Sequence, residues 1–386
     1  MGAWKMGQKR IGLFFSLLLL TLALLGCGGG AAQTGTPQTG TPGVVPRMTA
    51  EERAEAIASR MTLSEKIGQM MMIGVHGTEL DDDSRFMLSE YAVGGVIFYD
   101  RNLETEEGVR RFTKDLQEAR HGEPPLLIAI DEEGGPVVRM RDILPPPPSQ
   151  AEIGESGDAA LARSWAKKTA QSLRSFGINL NFAPVADVGD GVRCYSGDAD
   201  TVTAFVREAA AGYVEERMLC TLKHFPGLGK GEADTHLGTV AVSADRETLE
   251  AEDMVPFREM IAEGDPSRFF VMVSHITYTA VDESLPASLS PAVITGLLRD
   301  ELGWRGVVVT DDLEMGAADV FPFEELGVRA VEAGADLILV CHEYEHEQAT
   351  YNGILKAVQS GRVSEKRIDE SVRRILRAKF ALEDAR

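Results

Sequence analysis

Eight apolar runs, six to nine residues long, recur along the chain: Met70–Val75, Val93–Tyr99, Leu126–Asp131, Leu180–Val188, Met218–His224, Phe269–His275, Gly306–Asp311 and Asp336–Cys341. Short runs with no polar face predict strands buried on both sides. Between most of them the apolar positions take helical spacing. Thr62-Leu-Ser-Glu65 is a capping box opening onto Ile67, Met70 and Met71. Leu161, Trp165, Leu173 and Phe176 repeat on one helical face and stop at Gly177. Ser290 and Pro291 start a helix carrying Ile294, Leu297, Leu298 and Leu302, closed by Gly303. Ser364 caps a last helix with Ile368, Val372, Ile375 and Leu376 on one face. Strands alternating with helices predict an α/β chain, a single (β/α)8 TIM-like barrel over residues 47–386, although periodicity alone leaves an open doubly wound sheet as the alternative. Asp131, Asp187, His224, His275 and Asp311 each lie at or next to the end of one run. In a barrel those ends share one mouth, where active sites sit.

The first residues follow a different pattern. Lys5, Lys9 and Arg10 precede a nearly continuous apolar stretch from Ile11 to Leu25, which ends in Leu24-Leu-Gly-Cys27. This reads as a secretory signal peptide over residues 1–26, too short and wrongly flanked for a stable membrane span. Its end resembles the lipoprotein box of bacteria, which implies cleavage before Cys27 and lipid on that cysteine; a plain signal peptide or an uncleaved anchor is the alternative. Residues 27–46 repeat Thr-Gly-Thr-Pro and predict a disordered tether. The expectation is an exported protein held at the cell envelope by its lipid alone.

Composition is ordinary for a globular chain, 44% hydrophobic and 26% charged. Charge adds more: removing residues 1–26 takes away three basic residues and no acidic one, moving the formal net charge from −21 to −24. So acidic a surface argues against nucleic acid as a partner and fits a neutral or weakly charged substrate reached through a locally basic pocket. With Cys27 assigned to the lipid, Cys194, Cys220 and Cys341 remain; an odd number leaves at least one free thiol, and none has zinc-ligand spacing to another.

The chemistry concentrates in Lys223-His-Phe-Pro-Gly-Leu-Gly-Lys-Gly-Glu-Ala-Asp-Thr-His236, where an apolar run opens into a glycine-rich loop carrying a cation, two imidazoles and two carboxylates. Asp234 and His236 are near enough in sequence for the carboxylate to orient and charge-stabilise the imidazole. This stretch resembles the signature of the β-N-acetylglucosaminidases of glycoside hydrolase family 3. The resemblance extends to Met61-Thr-Leu-Ser-Glu-Lys-Ile-Gly-Gln69, Ile128-Ala-Ile-Asp-Glu-Glu-Gly-Gly135, Met272-Val-Ser-His275 and Thr310-Asp-Asp-Leu-Glu-Met315, and so covers residues 50–380. It implies Asp311 as nucleophile, His236 as general acid/base oriented by Asp234, and Asp131, Arg139, Arg193, Lys223 and His224 as substrate-binding residues. No metal or organic cofactor is implied. Strand alternation points Asp312 away from its neighbour. His275 either lines the pocket or is a satisfied histidine at a strand end. The chain departs from the family at Pro136, where arginine is usual, at Glu132, often glutamine, and around Arg193, whose flanking residues match loosely.

The resemblance implies a retaining exo-β-N-acetylglucosaminidase releasing terminal GlcNAc from peptidoglycan fragments or related oligosaccharides. A family 3 β-glucosidase, a GlcNAc phosphorylase and a non-catalytic cell-wall-binding lipoprotein are the alternatives. His342-Glu-Tyr-Glu-His346 formally fits the zinc motif His-Glu-x-x-His, but it follows an apolar run at once and has no apolar helical face.

Overall fold

The computed structural model describes residues 48–120, 124–228, 241–315 and 321–384. Within them the apolar runs become eight strands: β1 (Met71–Gly74), β2 (Gly95–Phe98), β3 (Leu127–Ile130), β4 (Leu180–Asn181), β5 (Leu219–Phe225), β6 (Phe269–Val273), β7 (Val308–Thr310) and β8 (Ile338–Val340). All pair in parallel, in the order β7-β6-β5-β4-β3-β2-β1-β8. The ring closes between β7 and β8, where Val309 bridges Leu337 and the Thr310 N–H donates to the Leu337 carbonyl at 3.1 Å. That closure excludes the open sheet. Every residue of the eight strands is buried, as expected of a parallel sheet covered by helices outside and packed side chains within.

Strand β4 is shorter than its apolar run. Regular pairing ends at Asn181, Phe182 and Ala183 keep one backbone bond each to Ile130 and Thr221, and after Pro184, which has no N–H, Val185 forms a single bridge to Lys223. Asp187 therefore sits in a loop beyond the strand. After β3, Glu132–Gly134 pairs antiparallel with Val137–Val138 in a small hairpin over the mouth. Its turn uses Gly134 and Gly135 at φ 103° and 57°, and a Cβ on Gly134 would lie 2.1 Å from the Pro148 carbonyl oxygen.

The helices follow their caps. Thr62 and Glu65 cap each other reciprocally at the helix Leu63–Gln69. The segment behind Ser290 and Pro291 is wound as a π-helix, Ala292–Glu301. Among the described residues no helix is long and apolar enough to cross a membrane. Cys194, Cys220 and Cys341 are all buried free thiols.

The last helix, Glu365–Asp384, lies under the barrel. Lys379 is buried there and donates to Gln69 Oε1 at 2.8 Å and to the Gly94 carbonyl at 2.7 Å. At the start of β8, Asp336 Oδ2 accepts from Arg299 Nη2 at 2.6 Å and from the Val308 N–H at 3.0 Å. Its Oδ1 accepts from Ser371 Oγ at 2.6 Å and Arg374 Nη1 at 3.0 Å. Burial alone would raise the Asp336 pKa, but Arg299, Arg374 and Arg367 outweigh it and hold the carboxyl at about 2. A depressed pKa contributes stability that is complete above the unfolded value near 4 and lost as pH falls towards 2. Asp336→Asn is expected to cost about 3–5 kcal/mol at pH 7, since it leaves buried guanidinium groups uncompensated. It should also flatten the loss of stability between pH 4 and 2, both read from urea unfolding.

Candidate active site

The C-terminal strand ends surround a cavity of about 250 Å³. Ile97, Phe182, Met272 and Leu339, from or just after β2, β4, β6 and β8, supply an apolar layer, the arrangement of a barrel filled by alternate strands. The walls above are charged.

On one wall the buried Lys223 ammonium contacts Asp131 Oδ1 at 2.7 Å and Glu133 Oε1 at 2.6 Å. Arg193 takes both oxygens of Glu133, each at 2.8 Å. Burial works against the Glu133 charge, but Lys223 and Arg193 outweigh it and hold its pKa at about 2. Burial likewise works against the Lys223 ammonium, and Asp131 and Glu133 raise its pKa despite it. Arg139 stands 3.8 Å from Asp131 and from Asp100, with its guanidinium 5.1 Å from the centre of the Tyr99 ring. Those ion-pair distances are too long for hydrogen bonds, so its N–H groups can take up a ligand.

His224 Nδ1 lies 2.7 Å from Asp187 Oδ2, and Asp187 Oδ1 accepts the backbone N–H groups of His224 and Leu228 at 2.9 and 2.8 Å. Arg193 Nη2 stands 3.4 Å from Nε2. A guanidinium donates only, so Nε2 accepts and the proton resides on Nδ1.

Asp311 follows β7 directly. Its N–H donates to the Val273 carbonyl at 3.0 Å, and its Oδ1 accepts the Asp312 N–H at 3.0 Å. Burial opposes ionisation of Asp311, but His224, His275, Lys223 and the Asp312 N–H together lower its pKa. The group is a carboxylate at neutral pH.

Six expected residues, Asp131, Arg139, Arg193, Lys223, His224 and Asp311, therefore line one cavity. Asp234, His236 and Cys27 lie outside the described residues. One expectation is overturned: Asp312 lines the same cavity as Asp311. Strand β7 ends at Thr310, so alternation does not carry past it. His275 is the satisfied kind, with Nδ1 2.7 Å from Ser288 Oγ and Nε2 donating to the Asp312 carbonyl at 2.7 Å. Asp187, expected only at the mouth, holds His224, and Glu133, for which the sequence suggests no role, holds Lys223 and Arg193. The sequence signal for Glu133 was the run of three acids after β3, which a buried Lys223 requires. In the zinc-like motif, His342 precedes the helix Tyr344–Gln359 and turns to Asp312, 3.2 Å away, while His346 Nδ1 lies 2.6 Å from Glu314. The two histidines are engaged apart, and among the described residues no group of three or more possible ligands could hold a metal ion.

Glu132, on the far side of the hairpin, accepts the Arg139 and Met140 N–H groups at 2.9 and 3.1 Å. Burial raises its pKa to about 7. The fold thus favours its protonated form, and stability is lost as pH rises from the unfolded value through 7. Glu132→Gln should raise the melting temperature at pH 8 while leaving it nearly unchanged at pH 4. Glu133→Gln removes the charge between Lys223 and Arg193 and is expected to lower kcat/KM at least ~10-fold, the equivalent of about 1.4 kcal/mol. Circular dichroism should show the fold retained.

Residues 62–378 match the Glycosyl hydrolase family 3 N terminal domain. A beta-hexosaminidase of Alkalilimnicola ehrlichii is 37% identical over 288 residues, covering 71% of this chain and 81% of the relative. A beta-hexosaminidase of Stenotrophomonas maltophilia is 38% identical over 285 residues, covering 71% and 83%. Among solved structures, a glycoside hydrolase family 3 beta-N-acetylglucosaminidase from a Paenibacillus species superposes with a TM-score of 0.79 at 43% identity. That match covers 84% of this chain and 63% of the Paenibacillus chain, so this protein spans less than two thirds of that one. The beta-N-acetylhexosaminidase of Beutenbergia cavernae superposes at 0.75 with 28% identity, covering 83% of this chain and 99% of the other. With residues 62–378 of the chain matched to the family domain and these relatives aligned with it, the chain belongs to glycoside hydrolase family 3 and is a glycoside hydrolase.

Proposed function

We propose that the protein is a retaining exo-β-N-acetylglucosaminidase that removes terminal GlcNAc from peptidoglycan fragments at the cell envelope. The observation that carries the reading is the position of the half-buried Asp311 carboxyl, directly after β7 and lining a charged cavity, where its surroundings lower its pKa. A cavity of about 250 Å³ has room for one sugar ring, being below the ~300–1,000 Å³ of drug-sized sites. Asp131, Lys223, Arg193 and Arg139 offer charged donors and acceptors to the hydroxyls of that ring.

Asp311 attacks the anomeric carbon, the bond to the leaving oxygen breaks, and the oxygen takes a proton from His236. A glycosyl ester on Asp311 results. Water, deprotonated by His236, then attacks the same carbon and frees the carboxylate. Assigning the proton to His236 draws on the family resemblance, and the carboxyl groups described around the cavity are otherwise engaged. Of the carboxyl groups lining the cavity, Asp131 and Glu133 are bound by Lys223, Asp312 is bonded to His342, and Glu314 is surrounded by donors. His224 also serves poorly, because Arg193 occupies its Nε2 and would repel an imidazolium. The GlcNAc specificity draws on the names of the relatives and on the Asp234-Thr-His236 pattern. The envelope location draws on the Cys27 pattern and the peptidoglycan substrate on the family resemblance.

Chromogenic β-GlcNAc and β-glucose substrates, with and without phosphate, decide among the enzymatic readings. Release from the GlcNAc substrate alone, independent of phosphate, is expected. Asp311→Ala should lower kcat at least ~10⁴-fold, as removal of a covalent nucleophile does. A fluorosugar that traps the ester should add its mass to the peptide containing Asp311. Turnover of neither sugar would overturn the reading.

A further inference from the structure

The nucleophile is held from two sides, and the two sides are built differently. On the β6 side, the Asp311 N–H reaches the Val273 carbonyl, and His275 clasps the Asp312 carbonyl. On the β8 side, the Leu313 N–H donates to the Leu339 carbonyl at 3.0 Å, and a cluster of side chains extends the contact. Glu314 Oε2 accepts the N–H groups of Cys341 at 2.7 Å and of His342 at 2.5 Å. Its Oε1 accepts the Glu343 N–H at 3.2 Å and lies 2.6 Å from His346 Nδ1. The helix Tyr344–Gln359 has no side-chain cap of its own at Glu343. The N–H groups of the segment that leads into it, Cys341 to Glu343, are thus satisfied by a carboxylate from the loop that carries Asp311.

A second connection runs beside the first. Arg101 is fixed by donating to the Val75 carbonyl at 3.2 Å and the Cys341 carbonyl at 2.6 Å. Its Nη1 stands 3.1 Å from His342 Nδ1. Because guanidinium donates only, His342 Nδ1 accepts, and Nε2 carries the proton towards Asp312 Oδ2, 3.2 Å away. Asp312 Oδ1 accepts the Glu314 N–H at 3.1 Å, which joins the two connections. Asp312 is also the residue whose N–H fixes Oδ1 of Asp311.

We propose that Glu314 and His342 are positioning residues: together they lock the Asp312 peptide, and through it set which way the Asp311 carboxylate faces the sugar. The inference rests on Asp311 being the nucleophile. Neither side chain touches the reacting atoms. With both His342 nitrogens engaged and Glu314 accepting from four donors, neither is free to bind substrate. Losing the strut lets the carboxylate rotate while the Lys223 wall that grips the sugar stays intact. A misplacement of about 1 Å in a reacting group costs on the order of 10²-fold in rate, so the effect should fall on kcat and spare KM.

The test compares His342→Ala, His342→Gln and Glu314→Ala with the wild-type enzyme on the chromogenic GlcNAc substrate, with Asp311→Asn alongside. His342→Ala and Glu314→Ala should lower kcat roughly 10- to 100-fold with KM within about threefold. The rate of fluorosugar trapping on Asp311 should fall in step. Glutamine can accept from Arg101 and donate to Asp312, so His342→Gln should return kcat to within about threefold of wild type. The His342 variants keep the test decisive if Glu314→Ala fails to fold, since that ring is partly exposed at the rim. Wild-type kcat in His342→Ala, KM rising as kcat falls, or no rescue by glutamine would each overturn the proposal. Normal turnover by Asp311→Asn would instead overturn the nucleophile assignment, whatever the other variants do.

Discussion

One buried ammonium organises the mouth of this barrel. Lys223 leaves β5 inside the protein, where an unpaired charge would cost several kcal/mol, and it is stabilised by Asp131 and Glu133 on the β3 side. Glu133 in turn fixes Arg193, and Arg193 fixes which nitrogen of His224 carries the proton. His224 and His275, with the same ammonium, lower the pKa of Asp311 against its own burial. The described pocket of this acidic protein thus sets Arg139, Arg193 and Lys223 among the carboxyl groups of Asp131, Glu133, Asp311, Asp312 and Glu314.

Much of this was legible in the chain before any coordinates. A parallel barrel buries both faces of every strand, so its strands read as uninterrupted apolar runs, and polar residues that end such runs stand out. Asp131, His224 and Asp311 were visible for that reason. What the pattern could not give was the geometry beyond a strand's last residue. Asp312 was assigned by alternation, which fails where β7 stops at Thr310. Asp187 was noted at the end of an apolar run, but regular pairing had already ended at Asn181, and nothing local told that it would hold His224 and the start of the glycine-rich loop. Glu133 is hidden by its own neighbours, three acids in a row of which the outer two meet Lys223 and the middle one meets backbone N–H groups. Partners distant in sequence, Lys223 and Arg193 for Glu133, His342 for Asp312, are set by closure of the ring and have no local signature.

The hairpin after β3 shows how one short segment can serve two environments. Glu132 and Glu133 are adjacent and both buried, yet one is pushed up to about 7 and the other held near 2. The difference is whether cations stand opposite. Alternation across the extended backbone turns Glu133 to Lys223 and Arg193, and Glu132 to the two backbone N–H groups that fasten Arg139. The position at which the family often carries glutamine is thus the one where a carboxyl is half-way to being uncharged.

The pairing of β1 with β8, Met71 beside Ile338, has a consequence for how the molecule comes into being. The first strand cannot complete its ladder until the last has been synthesised, and the helix Ala50–Ala58 is ion-paired through Arg53 with Glu383 at the far end of the described residues. Contacts so distant in sequence close large loops and slow folding. The outer edge of β1 therefore stays unpaired, and open to aggregation, until β8 arrives, and the helix Glu365–Asp384 acts as the latch that ends that interval.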